Sequence, residues 1–119
     1  MGARVLTGAS WRNAMTRDLQ ADPVLMRFRA AVADIYGERV VLFGSRARGD
    51  ARPDSDYDVA VFLRNMGDRF AEMDRLADLS TTILDETGGF IHAIPYRAGA
   101  YTDERMPLMH EIRAQGIDL

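Results

Sequence analysis

The stretch FGSRARGDARPDSDYDVAVF, residues 43–62, decides how this chain is read. It follows a short all-apolar run, Val40-Val41-Leu42-Phe43, of the kind expected for a strand buried on both faces. Gly44 stops that run. Residues 44–55 are rich in Gly, Pro, Ser and Asp and read as a loop around a short helix. A second strand then opens at Asp56-Tyr57-Asp58 and continues to Leu63. Alternate residues of a strand share a face, so Asp56 and Asp58 present two carboxylates on one side, roughly 6.6–7 Å apart along the backbone. Two carboxylates so placed repel each other, and a divalent cation between them removes that cost.

Gly44 permits close approach of backbone to a ligand. Ser45 supplies a hydroxyl and an amide suited to phosphate oxygens. Arg46 and Arg48 add cationic donors, and arginine grips a phosphate with two parallel hydrogen bonds. Together these parts suit phosphoryl or nucleotidyl transfer assisted by a metal ion. A plainer reading stands beside this one. Arg46, Arg48 and Arg52 also make sense as a solvated face balanced by Asp50 and Asp54. Ser55 also makes sense as the hydrogen-bonding residue of a turn.

Working outward, Asp22-Pro23 reads as a helix start, with aspartate as cap and proline at the first helical position. Val24, Leu25, Phe28, Ala31, Val32 and Ile35 then keep helical spacing, and Gly37 reads as the stop. A second amphipathic helix is expected over 68–86, capped by Asp68, with Phe70, Met73, Leu76, Leu79, Ile83 and Leu84 as its apolar face. Thr87-Gly88-Gly89 closes it. A third strand is expected from Phe90 to Tyr96, and a last helix from about Asp103 to Gln115, with Pro107 in its first turn and Gly116 as its stop. Residues 1–21 are weakly patterned and read as a weakly ordered N-terminal segment, with one domain over 22–119. The order predicts an α/β fold in the α+β two-layer sense, a small mixed sheet flanked by helices.

Composition narrows the chemistry. The chain has 119 residues, 47% of them hydrophobic, enough for one core. It has no cysteine, which excludes disulfides, thiolate zinc sites and a cysteine nucleophile. A metal must then be held mainly by carboxylate oxygen, which favours Mg²⁺ or Mn²⁺. All 15 basic residues are arginine, so no lysine serves as base or phosphate clamp. The net charge of −3 argues against duplex nucleic acid as the main partner. No apolar run approaches the ~18 residues of a membrane span, and the start lacks the apolar core of a signal peptide, so a cytoplasmic location is expected.

Gly44-Ser45, ten residues and then Asp56-Tyr57-Asp58 resembles the hallmark of the DNA polymerase β-like nucleotidyltransferase superfamily. Within it the chain looks most like the minimal nucleotidyltransferases, small domains that act as antitoxins to HEPN-type toxins. The resemblance runs from about residue 22 to 119. It implies that Asp56 and Asp58 are the catalytic and metal-binding pair, with Mg²⁺ or Mn²⁺ as cofactor. It implies that Gly44, Ser45, Arg46 and Ser55 bind the nucleotide, with ATP as substrate. It further implies transfer of AMP to a hydroxyl of a partner protein, a HEPN-type toxin, with no membrane and no duplex nucleic acid involved. A homo-oligomer stays open. One departure stands out. The superfamily carries a third carboxylate on the following strand, whereas Phe90-Ile91-His92-Ala93-Ile94-Pro95-Tyr96 has none and places His92 centrally. His92 reads either as a structural histidine or as part of the site. The alternative function is therefore a weak or inactive module of the same fold that binds nucleotide or neutralises a toxin by contact.

Overall fold

The computed structural model describes residues 8–36 and 39–119. Helices α1 (Gly8–Gln20) and α2 (Pro23–Tyr36) lead into strand β1 (Val40–Phe43) and a one-turn helix α3 (Ser45–Arg48). Strand β2 (Tyr57–Leu63), helix α4 (Arg69–Thr87) and strand β3 (Ile91–Arg97) follow. A 3₁₀ turn (Ala98–Thr102), helix α5 (Pro107–Gln115) and a short strand β4 (Ile117–Asp118) complete the chain.

The strands form one mixed sheet in the order β3-β2-β1-β4. β1 runs antiparallel to β2 and to β4, and β2 runs parallel to β3. This is the α/β arrangement expected from the order of elements. β2 is central, and its period-two alternation serves two cores. Tyr57, Val59, Val61 and Leu63 face α2 and α4, packing with Leu25, Phe28, Val32, Leu76 and Ile83. Ala60 and Phe62 face the other way, onto Met109 and Ile112 of α5. A strand covered on both sides explains why 57–63 is almost wholly apolar. Its one charged residue, Asp58, lies at the open end of the α5 face.

Local chemistry sets the helix ends. The Asp22 carboxylate accepts from the Val24 amide at 2.8 Å and caps α2 as expected. Asp68 caps α4 by accepting from the Phe70 amide at 2.9 Å. Gly37 and the side chain of Ile35 lie outside the described residues.

The structure departs from expectation in five places, one of them the short strand β4 after the last helix. Residues 8–20, taken as weakly patterned, form α1, and Met15 and Leu19 pack on the core. β3 begins one residue later than expected. The last helix begins at Pro107 instead of Asp103, because the residue before a proline is pushed out of helical conformation, and Met106 is extended at φ −102°, ψ 106°. The apolar face of α4 is narrower than its spacing suggests. Leu76, Ser80 and Ile83 are buried, whereas Phe70 is 77% exposed and Met73 and Leu84 are also exposed. At 3.6 residues per turn, Phe70 sits roughly 110° around the helix from that buried stripe. Among the described residues no helix is long and apolar enough to cross a membrane.

Candidate functional site

The pairing of β1 with β2 sets Phe43 opposite Asp58, so the turn that leaves β1 passes directly over the start of β2. Gly44 makes that turn at φ 74°, ψ −155°, a conformation essentially confined to glycine. A β-carbon at Gly44 would lie 2.6 Å from Oδ2 of Asp58. The Gly-Ser segment and the second aspartate, fourteen positions apart in the chain, therefore meet at one end of the two inner strands. Ser45 follows as the first residue of α3, half-buried beside them.

The two aspartates differ in setting. Asp56 is exposed and lies one residue outside β2. It borders a cavity of about 340 Å³ between the 53–57 loop and the Thr87–Phe90 turn. Asp58 is inside the strand, with its side chain 34% exposed. The parallel register of β2 and β3 places His92 beside Asp58, with Nδ1 3.5 Å from Oδ1. His92 thus stands next to Asp58, on the strand where the resemblance implies a third carboxylate. Among the described residues no group of three or more His, Asp or Glu side chains is gathered to hold a metal ion. The donors on hand are carboxylate oxygens and one imidazole, a set that fits a divalent cation whose remaining positions are filled by phosphate oxygens and water.

Of the loop arginines, Arg46 turns inward, whereas Arg48 and Arg52 are exposed. The Arg46 guanidinium donates to the carbonyl oxygens of Pro53 at 3.1 Å and of Ser55 at 2.6 and 3.0 Å. It also stacks over the Tyr57 ring, 3.8 Å from its centroid. Its charge thus pins the loop that precedes Asp56. Ser55 serves the same turn, its hydroxyl accepting from the Arg52 amide at 2.9 Å. Arg48 pairs with Glu111 of α5 at 3.1 Å and with Asp50 at 3.4 Å.

One link was not visible in the sequence. The Tyr57 hydroxyl donates to Oδ2 of Asp22 at 2.8 Å, joining the start of β2 to the cap of α2. Burial first, and then this hydrogen bond, push the Tyr57 phenol up to about 12. The only sequence signal was that Tyr57, lying between the acids, had to point away from them. His110 lies apart from this site, with Nε2 2.9 Å from the carbonyl oxygen of Glu104.

A family model described as a nucleotidyltransferase domain matches residues 25–101, which is more than half the chain. A chain of a solved toxin–antitoxin structure with AMP-PNP superposes with a TM-score of 0.57 at 18% identity, over 77% of this chain and 68% of that one. A chain of the tri-AMPylated Shewanella oneidensis HEPN toxin in complex with MNT antitoxin gives a TM-score of 0.46 at 15% identity, over 90% of this chain and 70% of that one. No curated protein sequence matches. At these identities the structural likeness is one of fold.

Proposed function

Because the chain belongs to the nucleotidyltransferase domain family, we propose that it transfers AMP from ATP to a hydroxyl of a partner protein and serves as antitoxin to a HEPN-type toxin. The observation that carries this reading is the approach of Gly44 to Asp58. It joins the segment suited to phosphate with the carboxylate suited to a cation. The solved toxin–antitoxin fold with AMP-PNP supports it further.

In this reading the amide and hydroxyl of Ser45 hold the triphosphate, and Gly44 lets it come close. Arg46 and Ser55 act through the shape of the loop that presents Asp56. Asp56 and Asp58 would hold Mg²⁺ or Mn²⁺, an ion that would supply positive charge against the phosphate oxygens. The partner's hydroxyl oxygen forms a bond to the α-phosphorus as the bridging oxygen between the α- and β-phosphates departs. Pyrophosphate leaves, and the hydroxyl proton passes to water. The domain is too small to enclose a protein acceptor, so the partner's own surface completes the acceptor site.

The test is incubation with labelled ATP, Mg²⁺ or Mn²⁺ and the product of the neighbouring gene. Label should move to that partner and should fail to move with Asp58→Asn. No transfer with either metal would overturn the reading. A second reading, neutralisation by contact alone, is favoured by His92 standing where a third carboxylate was expected. It predicts that an Asp56→Asn/Asp58→Asn double variant still binds and silences the partner.

A further inference from the structure

We infer that His92 is a metal ligand, and that with Asp58 it makes a mixed imidazole–carboxylate site selecting a transition ion, for which Mn²⁺ is the probe, over Mg²⁺. The inference deepens the proposed cation site and rests on the reading of Asp58 as facing the cation.

Three observations carry it. First, the two donors lie within reach of one ion. His92 Nδ1 lies 3.5 Å from Asp58 Oδ1, whereas charge-assisted hydrogen bonds close to about 2.7–2.9 Å. Two neighbouring ligands on an octahedral ion, each bonded at about 2.1 Å, sit roughly 3 Å apart. A small side-chain rotation closes that difference. Second, the arrangement is held by backbone. His92 and Asp58 are register partners in parallel strands, so both side chains leave the same face at the same level. Third, the ring is accessible. The His92 side chain is 59% exposed and that of Asp58 34%, so an ion with its water and phosphate ligands can reach both.

The chemistry then sets the selectivity. Mg²⁺ prefers oxygen donors and sheds water reluctantly, whereas first-row transition ions accept imidazole nitrogen readily. A carboxylate at position 92 would suit Mg²⁺, and a histidine there tilts the site away from it.

The test uses the full chain at a pH of about 8, where free histidine is neutral. Thermal unfolding is followed while MgCl₂ or MnCl₂ is titrated, without nucleotide and then with a nonhydrolysable ATP analogue. The wild-type Tm should rise at a Mn²⁺ concentration about tenfold or more below that needed for Mg²⁺. His92→Asp should bring the two concentrations together, and His92→Ala should weaken Mn²⁺ selectively. Pulsed EPR of the Mn²⁺-loaded protein should show ¹⁴N coupling from a directly bound imidazole, lost in His92→Asp. Mn²⁺ binding without that coupling, or the same Mn²⁺-to-Mg²⁺ ratio in wild type and His92→Ala, would overturn the inference. Both readouts report binding without a partner. Failure of AMP transfer alone would count against the proposed function and leave this site standing.

Discussion

Gly44 stands so close to Asp58 that a β-carbon would fall 2.6 Å from the carboxylate oxygen Oδ2. Its positive φ of 74° adds a backbone reason for glycine at the same position. Gly44→Ala should therefore destabilise the fold by about 1–3 kcal/mol. It should also displace the Asp58 side chain. Chemical denaturation measures the first effect, and the metal-dependent rise in Tm measures the second. A variant as stable as wild type with an unchanged metal response would refute the tight turn.

Asp58→Asn keeps the shape of the side chain and removes its charge. Metal-dependent stabilisation should vanish, and AMP transfer should fall by about two orders of magnitude or more, the several kcal/mol that charge stabilisation supplies in such reactions. Stability without metal should stay the same or rise slightly. Single-turnover assays with labelled ATP and far-UV melting curves check the two halves.

Arg46 makes three hydrogen bonds to the carbonyl oxygens of Pro53 and Ser55 and stacks on Tyr57. Arg46→Ala should lower stability by about 1–3 kcal/mol through these lost charged hydrogen bonds. Arg46→Lys should recover little, since an ammonium lacks the planar fork. Full recovery by lysine would show that charge alone matters here and that the loop does not depend on the guanidinium.

Tyr57 and Asp22 predict a pH effect in the alkaline range. The folded phenol titrates near 12, raised by burial and by the hydrogen bond to Asp22, against about 10 when unfolded. The folded state keeps its proton where the unfolded state has lost it. The contribution to stability is thus full below about pH 10 and fades as pH rises towards 12. Wild type should lose stability over that window more steeply than Tyr57→Phe, as unfolding titrations at several pH values would reveal. Parallel slopes would mean that Tyr57 does not hold its proton more tightly in the fold.

Ser80 of α4 is 2% exposed, and its hydroxyl lacks a hydrogen-bond partner. Ser80→Ala should raise stability by about 1 kcal/mol, because a buried unpaired hydroxyl costs more than a methyl group. A loss of stability would point to a water bound there.

Much of the fold was legible in the sequence, because local signals and burial agreed. The apolar run 40–43 and the alternating run 57–63 became β1 and β2 at the expected residues. Aspartates 22 and 68 capped their helices as their side-chain chemistry requires. The Gly44-Ser45 to Asp56-x-Asp58 spacing likewise pointed to the family, and at Gly44 the positive φ and the close approach to Asp58 give glycine a physical reason. Where local signals were weak or conflicting, they misled. α1 lacks a strong apolar stripe and holds through contacts of Met15 and Leu19 that spacing alone did not suggest. Phe70 fitted a helical period yet lies on the exposed side, because the sheet decides which arc of α4 is covered.

By itself, then, the sequence determined the two strands, the capped helices and a glycine turn followed by two closely spaced aspartates, all features set by neighbours in the chain. Only the tertiary structure decided what those groups face. Sheet register brought His92 to Asp58 across thirty-four positions. Loop packing turned Arg46 inward onto Tyr57. Packing of α2 on the sheet tied Tyr57 to Asp22. Side-chain partners so far apart in the chain are chosen by which faces can be buried together, and no local pattern encodes that choice.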